Sequence, residues 1–492
     1  MTQQNPRRST PALPEPPGEP ALPNVLTKAV WVLWLTSAVA AFFVLRSGEA
    51  PMVAGPFRVD GLTAVMWLVV TFFSGIVHSY SRRYMAGESR LNRFYADLFA
   101  FTVTVMVLVA ADHLVLFWLS WFGMGLVMAD LIGYVPGWRG SDAARRVALG
   151  YFSAGSFFLG VGAAVLWWTT GSATVSGIGP SITGVPTGAA AVATGAVLLA
   201  AMVQSALLPF HGWLLSSMTA PTPASALMHA GFVNGGGILL TRFSPVFSEN
   251  AFAMTVVLVV GAASAILGKL LKSVQPDIKR KLACSTVGQM GFMIAQAGLG
   301  FFGAAITHLV LHGFYKAYLF LSSGGRVTNH APGEEGGALT AAGIAVTVPT
   351  ALAGGAVFAV LTGKGTALDS GLVLAVLVVI TVMHASLGLT SRKDVPRLVR
   401  FAGVPVVFLP AIVVYASVYE AVAWAMSDLP VSSAPQELTV VHAAVVAAFL
   451  VGYVAVEYDV QTRSERLYVK LLNISQPSPE TVLTDKGDYD DR

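Results

Sequence analysis

The chain has 492 residues, 55% of them hydrophobic and only 11% charged, with a formal net charge of +4. Soluble domains carry about 25% charged residues, so the composition excludes a soluble globular enzyme and points to a chain that crosses a membrane repeatedly. The small positive charge makes no case for nucleic acid, because basic residues in membrane proteins mainly record orientation.

Residues 1–23 are polar and rich in proline (Pro6, Pro11, Pro14, Pro16, Pro17, Pro20, Pro23) and are expected to be a disordered cytoplasmic tail, not a cleavable signal. Apolar windows then predict spans near 24–45, 61–79, 93–111, 113–133, 147–169, 187–208 and 222–243. Further windows follow near 251–271, 282–299, 303–323, 338–362, 370–389, 402–425 and 438–457. A span needs about 20 apolar residues, and spans in hydrocarbon must be helical, so the fold class is an all-α integral membrane protein of about fourteen transmembrane helices. The transmembrane domain is 24–457, and a polar C-terminal tail, 458–492, ends in Asp485, Asp488, Asp490 and Asp491. That tail is expected to be flexible or to act as a docking strand, and no separate soluble domain is expected.

Loop charges test this count. Alternate loops carry Arg82, Arg83, Arg90 and Arg93; Arg139, Arg145 and Arg146; Lys272, Lys279, Arg280 and Lys281; Arg326; and Arg392, Lys393, Arg397 and Arg400. The opposite loops hold Arg46, Arg58 and Lys364, with Arg242 at the edge of the seventh span. A missed span would scramble this asymmetry, so both termini are expected on the cytoplasmic side.

Ionisable residues inside spans are costly and mark function by default. His308, His312 and Lys316 sit at i, i+4 and i+8 of the tenth span. Each step rises about 6 Å along one helix face. Histidine changes charge near physiological pH, so such a stripe can pass protons with water between its members. Satisfied interhelical hydrogen bonds are the alternative. Lys269, in the eighth span, is either buried or snorkels to the surface. Asp130, near the end of the fourth, is either functional or paired with Arg139 or another neighbour. His384, Glu420 and His442 are read as local hydrogen-bonding groups.

The segment 207–242, LLPFHGWLLSSMTAPTPASALMHAGFVNGGGILLTR, is broken by Pro209, Pro221 and Pro223, with Gln204, His211, His229 and Asn234 around the breaks. Interrupted helices in paired halves of a transporter point to ion sites. Pro349 marks a second interrupted span. Cys284 is the single cysteine, which rules out an intrachain disulfide, and no Cys/His cluster has zinc-ligand spacing. No cofactor motif, phosphate loop or nucleophile–base set appears.

The stretches FRVDGLTAVMW (57–67), IVHSYSRRYMAGE (76–88), VLVAADHLVLFWLSW (107–121), LPFHGWLLSSMTAPTPASALMHAG (208–231), QPDIKRKLACSTVGQMGFM (275–293) and THLVLHGFYKAYLFLSSG (307–324) resemble the antiporter-like subunits of respiratory complex I, above all its L chain, and the large Mrp antiporter subunit. The resemblance implies two inverted five-helix repeats with broken helices, at about 93–243 and 251–389. It implies that His308, His312 and Lys316 line a proton channel and that His229 joins two half-channels. Two positions depart from the family. Phe122 stands where a glutamate follows tryptophan, and Gln204 stands where a lysine precedes the Leu-Pro break. Asp130 is a candidate replacement for the carboxylate, and Lys364 for the terminal channel lysine.

The stretch MHAGFVNGGGILLTRF (228–243) looks like the DabB (MpsA-type) subunits of bacterial inorganic-carbon accumulation. That resemblance implies a cation-conducting subunit, carrying H⁺ or Na⁺, that energises a large cytoplasmic DabA-like partner. The partner would be a zinc protein resembling β-carbonic anhydrase, so zinc is expected there and no cofactor in this chain. The alternatives are a pumping subunit of an NADH-quinone oxidoreductase and an Mrp-type cation/proton antiporter.

Overall fold

The computed structural model describes residues 21–47, 51–135, 137–323, 341–390 and 396–481. Arg326, Arg392, Lys393, the acidic C-terminal run and all of 1–23 except Ala21–Pro23 lie outside these residues.

The chain opens with α1 (Ala21–Ser47), a short hairpin of β1 (Met52–Ala54) and β2 (Phe57–Val59), and then α2 (Gly61–Tyr84), α3 (Leu91–Ala110), α4 (Leu114–Ile132) and α5 (Arg139–Thr170). A one-turn α6 (Val175–Ile178) leads to α7 (Thr187–Gln204) and to three short pieces, α8 (Gly212–Ser216), α9 (Thr222–Ala230) and α10 (Gly235–Arg242). After α11 (Ser244–Ser248) come α12 (Ala251–Ser273), α13 (Ile278–Gly298), α14 (Phe302–Ser323), α15 (Ala341–Thr362), α16 (Ser370–Thr390), α17 (Arg397–Ala425) and α18 (Val440–Glu457). The short α19 (Val460–Arg463) and α20 (Glu465–Ile474) complete the helices.

Among the described residues, 11 helices are long and apolar enough to cross a membrane. The three expected spans outside that set are helical as well. Residues 222–243 are split into α9 and α10 by a 3₁₀ turn at Phe232–Asn234. α13 and α14 carry the polar and charged side chains that lower their hydropathy.

The antiparallel pair α12–α13 packs backbone to backbone. A Cβ on Gly268 would lie 2.3 Å from the Gly288 nitrogen, so only glycine permits this approach. The close seam fixes the height of α13 against α12 and leaves the other face of α13 for α14.

The segment after α18 is docked. Leu471 of α20 is buried, and Leu467, Tyr468 and Ile474 pack against the core from the same helix face. His211 Nε2 lies 3.0 Å from the Ile474 carbonyl oxygen, and the Ser478 backbone N–H donates to Ser216 Oγ at 3.0 Å. The Gln275 side chain reaches Ser475. Residues 460–481 therefore tie the break after α7 to the α12–α13 turn, so of the two expectations for this tail it is docked over these residues, through a helix and not a strand. The apolar spacing 467, 468, 471, 474 was hidden in a segment of polar composition.

Candidate functional site

α14 contains no proline and keeps an unbroken backbone through its ionisable stripe. Gly313 lets it sit hard against α9 and α2: a Cβ there would come within 2.7 Å of the Phe73 ring and 3.0 Å of the Ala230 carbonyl oxygen. Lys316 is wholly buried, and His312 is 5% exposed. Lys316 Nζ donates to the Leu282 carbonyl oxygen of α13 at 2.8 Å. No carboxylate among the described residues lies at ion-pair distance from it. The rings of His308 and His312 are near parallel, 5.9 Å between centroids.

His229 of α9 is wholly buried and stacks on Phe320 of α14 at 4.4 Å. Its Nδ1 lies 3.0 Å from Thr286 Oγ1 of α13. The Nε2 atoms of His229, His308 and His312 are buried without a hydrogen-bonding partner in the protein. Buried polar atoms are usually satisfied, so three such nitrogens along one line suit groups that take up and release protons. Helical geometry alone put His308, His312 and Lys316 in register; packing adds His229.

The break after α7 is built differently. Gln204, at the end of α7, donates from Nε2 to the Phe232 carbonyl oxygen at 3.1 Å, and Ser205 Oγ donates to the Val233 carbonyl oxygen at 2.7 Å. Asn234 Nδ2 donates to the Ala230 carbonyl oxygen at 2.7 Å. These side chains take the carbonyls that the break frees. Phe122 of α4 stacks on Trp118. Asp130 accepts from Arg145 Nε at 2.6 Å, a neighbour six residues beyond Arg139 on α5.

A cavity of about 360 Å³ lies between α12, α13, α14, α16, α17 and α18. It runs along α13 from Ser285 to Gln296, about 16 Å of helix. Its polar lining includes Lys269, Lys272, Gln296, His308, His384 and Tyr415, with no carboxylate among the lining residues. His308 is thus the member of the histidine line that touches the cavity.

Lys269 does not extend to the surface as a free cation. Its Nζ lies 2.5 Å from His384 Nε2, and His384 Nδ1 lies 2.6 Å from Glu457 Oε1. His384, expected as a local hydrogen-bonding group, thus meets Glu457 of another helix, which no sequence signal marks. Three residues far apart in the chain carry no shared periodicity, so no local signal joins them. His442 does act locally, closing a capping box with Thr439 at the start of α18. Glu420 is exposed on α17. Lys364, just past α15, lies over the Phe301 ring at 5.2 Å. Among the described residues no group of three or more His, Cys, Asp or Glu could hold a metal.

Residues 111–392 match the family described as NADH:quinone oxidoreductase/Mrp antiporter, TM. The chain belongs to that family. Residues 53–95 also match the complex I chain 5 N-terminus family. A curated relative, "Probable inorganic carbon transporter subunit DabB1" of Halothiobacillus neapolitanus, is 39% identical over 56% of this chain and 50% of its own length. The corresponding DabB of Bacillus subtilis is 37% identical over 61% and 60%. NADH-quinone oxidoreductase subunit L of Mycobacterium tuberculosis is 35% identical over 60% and 47%. The matches thus span about half to three-fifths of these relatives. Among solved structures, the Mrp complex from Dietzia aligns with TM-score 0.57 at 24% identity, over 93% of this chain and 51% of that one. An archaeal membrane-bound sulfane sulfur reductase aligns with TM-score 0.60 at 16% identity, over 94% of each. The chain is therefore an antiporter-like membrane subunit of multi-span fold.

Proposed function

We propose that the chain is the proton-conducting membrane subunit of an energy-coupled system that accumulates dissolved inorganic carbon. The observation that carries this reading is the buried line His308–His312–Lys316 with His229 beside it, in a chain whose relatives include inorganic carbon transporter subunits. Protons enter from outside, pass His308 and His312 to Lys316, and leave toward the cytoplasm. A change of charge at Lys316 alters its hold on the Leu282 carbonyl and shifts the break near Pro221, which a partner senses. One charge moving down the membrane potential releases about 2.3 kcal/mol per 100 mV, enough to bias CO₂ hydration toward bicarbonate.

The partner in this reading is a large cytoplasmic zinc protein of the DabA type, resembling β-carbonic anhydrase; the zinc belongs to it. The membrane is a bacterial inner membrane with both chain ends cytoplasmic. Phe122 and Gln204 weigh against a complex I type of pump, because the charged pair of that design has no counterpart here. The test is affinity purification of the tagged chain in mild detergent, with mass spectrometry and metal analysis. A single large soluble zinc protein is the expected companion. Flavin and iron–sulfur subunits would overturn the reading in favour of a redox pump.

A further inference from the structure

We infer that Lys269, His384 and Glu457 form a proton-transfer station on the flank of the cavity, joining it to the bundle end where α12, α16 and α18 finish. The inference rests on the proton-conduction reading above. It concerns residues that stand apart from the α14 line, and Glu457 lies beyond the 111–392 region that matches the family.

The geometry carries it. The station is a continuous chain of three titratable groups from three helices, with steps of 2.5 Å and 2.6 Å. Lys269 and His384 both line the cavity, which reaches His308 at its far end. The side chains of His384 and Glu457 are 35% and 17% exposed, so the chain reaches the outer surface of the bundle on one side and the cavity on the other. One tautomer satisfies both contacts at once: the Lys269 ammonium donates to His384 Nε2, and His384 Nδ1–H donates to the Glu457 carboxylate.

The transfer balances. Lys269 passes a proton to Nε2 while Nδ1 passes its own proton to Glu457. The products are a neutral amine, the Nε2–H imidazole and a neutral carboxylic acid. Glu457 then releases its proton to solvent, and Lys269 takes the next from water in the cavity. A turn of the imidazole, or the reverse transfer, restores the first tautomer. One proton crosses and no charge accumulates. A Na⁺ ion has a poorer route, because the cavity is lined by two lysines and by no carboxylate to offset the charge of a hard cation. The other titratable groups near the station are Lys272 on α12, and Tyr453 and Tyr458 on α18.

The test uses the full chain with whatever co-purifies, reconstituted in vesicles with an internal pH dye and driven by a potassium diffusion potential. His384→Asn and Glu457→Gln are expected to slow proton flux at least about 100-fold, the low end of what positioned proton transfer contributes. Glu457→Asp, which keeps the carboxylate, is expected to retain most of the flux with a displaced pH profile. Unaltered flux and pH profile in His384→Asn and Glu457→Gln would overturn the station. So would equal losses in Glu457→Gln and Glu457→Asp with a lowered melting temperature, which would mark Glu457 as a structural brace. Sodium uptake that follows the same variants would overturn the assignment to protons. Lys316→Ala, run in parallel, separates the two claims. If it conducts normally while the station variants do not, the α14 line fails and the station stands; the reverse pattern leaves the line and removes the station.

Discussion

The break between α7 and α10 and the stripe along α14 both bury polar residues and use them differently. In the first, Gln204, Ser205 and Asn234 each donate to a backbone carbonyl around the break, and the aromatic Phe122 stacks on Trp118. In the second, His308, His312 and Lys316 of α14 are ionisable groups with His229 of α9 packed beside them, and the three histidines each keep a ring nitrogen free of protein partners. Side chains committed to backbone carbonyls hold a helix break in shape. Side chains left with an open site can change protonation without dismantling the fold. The break is thus built as support, and the α14 line, on the function proposed above, serves as conductor.

The largest effect expected from this contrast is at Lys316. Lys316→Ala should reduce bicarbonate accumulation more than about 100-fold, in the range lost when a positioned proton carrier is removed, while the chain still assembles with its companions. Normal uptake by an assembled Lys316→Ala variant would break the contrast at its strongest point.

Next comes Gln204→Lys, which places a cation in the supporting half where no carboxylate awaits it. The cost should be about 3–5 kcal/mol, as for an unpaired buried charge, read as a lowered melting temperature in detergent. Adding Phe122→Glu should recover part of that loss. If Gln204→Lys alone is neutral, the first repeat already accommodates charge and the contrast collapses.

A third test concerns the charges that the first half does keep. Asp60, which caps α2, meets the guanidinium of Arg242, which also donates to Thr63 Oγ1 at 2.7 Å and to the Val109 carbonyl oxygen at 2.6 Å. Burial works against the Asp60 charge, but the Arg242 guanidinium and the Thr63 hydrogen bonds outweigh it and hold the carboxyl below its ordinary range. The stabilisation is therefore complete above about pH 4, the ordinary aspartate value, and is lost as pH falls through the depressed folded value. Asp60→Asn should cost about 3 kcal/mol at pH 7, the low end for breaking a buried pair, and flatten the acid limb of the stability curve. An acid limb identical to that of the unaltered chain would show that the pair does not set it.

The smallest effect belongs to Asp130. Its pair with Arg145 is partly solvent-exposed, so Asp130→Asn should change stability by less than about 1 kcal/mol and leave proton flux within about twofold. A large fall in flux would move Asp130 from support to conduction and redraw the boundary between the halves.

What the sequence determined by itself was everything governed by short-range regularity. Hydropathy located the helices, because a span must bury about 20 apolar residues. The period of 3.6 placed His308, His312 and Lys316 on one face before any packing was known. Proline marked the break between α7 and α10, because it removes a backbone donor. Tertiary structure alone decided which distant groups meet. Lys269, His384 and Glu457 are brought together by the packing of α12, α16 and α18. Gln204 finds the Phe232 carbonyl only because the chain folds back after the break. α20 is held by contacts to residues more than 190 positions earlier, such as Gln275 and Ser216. Local geometry fixes a pattern along one helix, but a contact between helices depends on their relative rotation and height, which are set by seams such as Gly268 against Gly288.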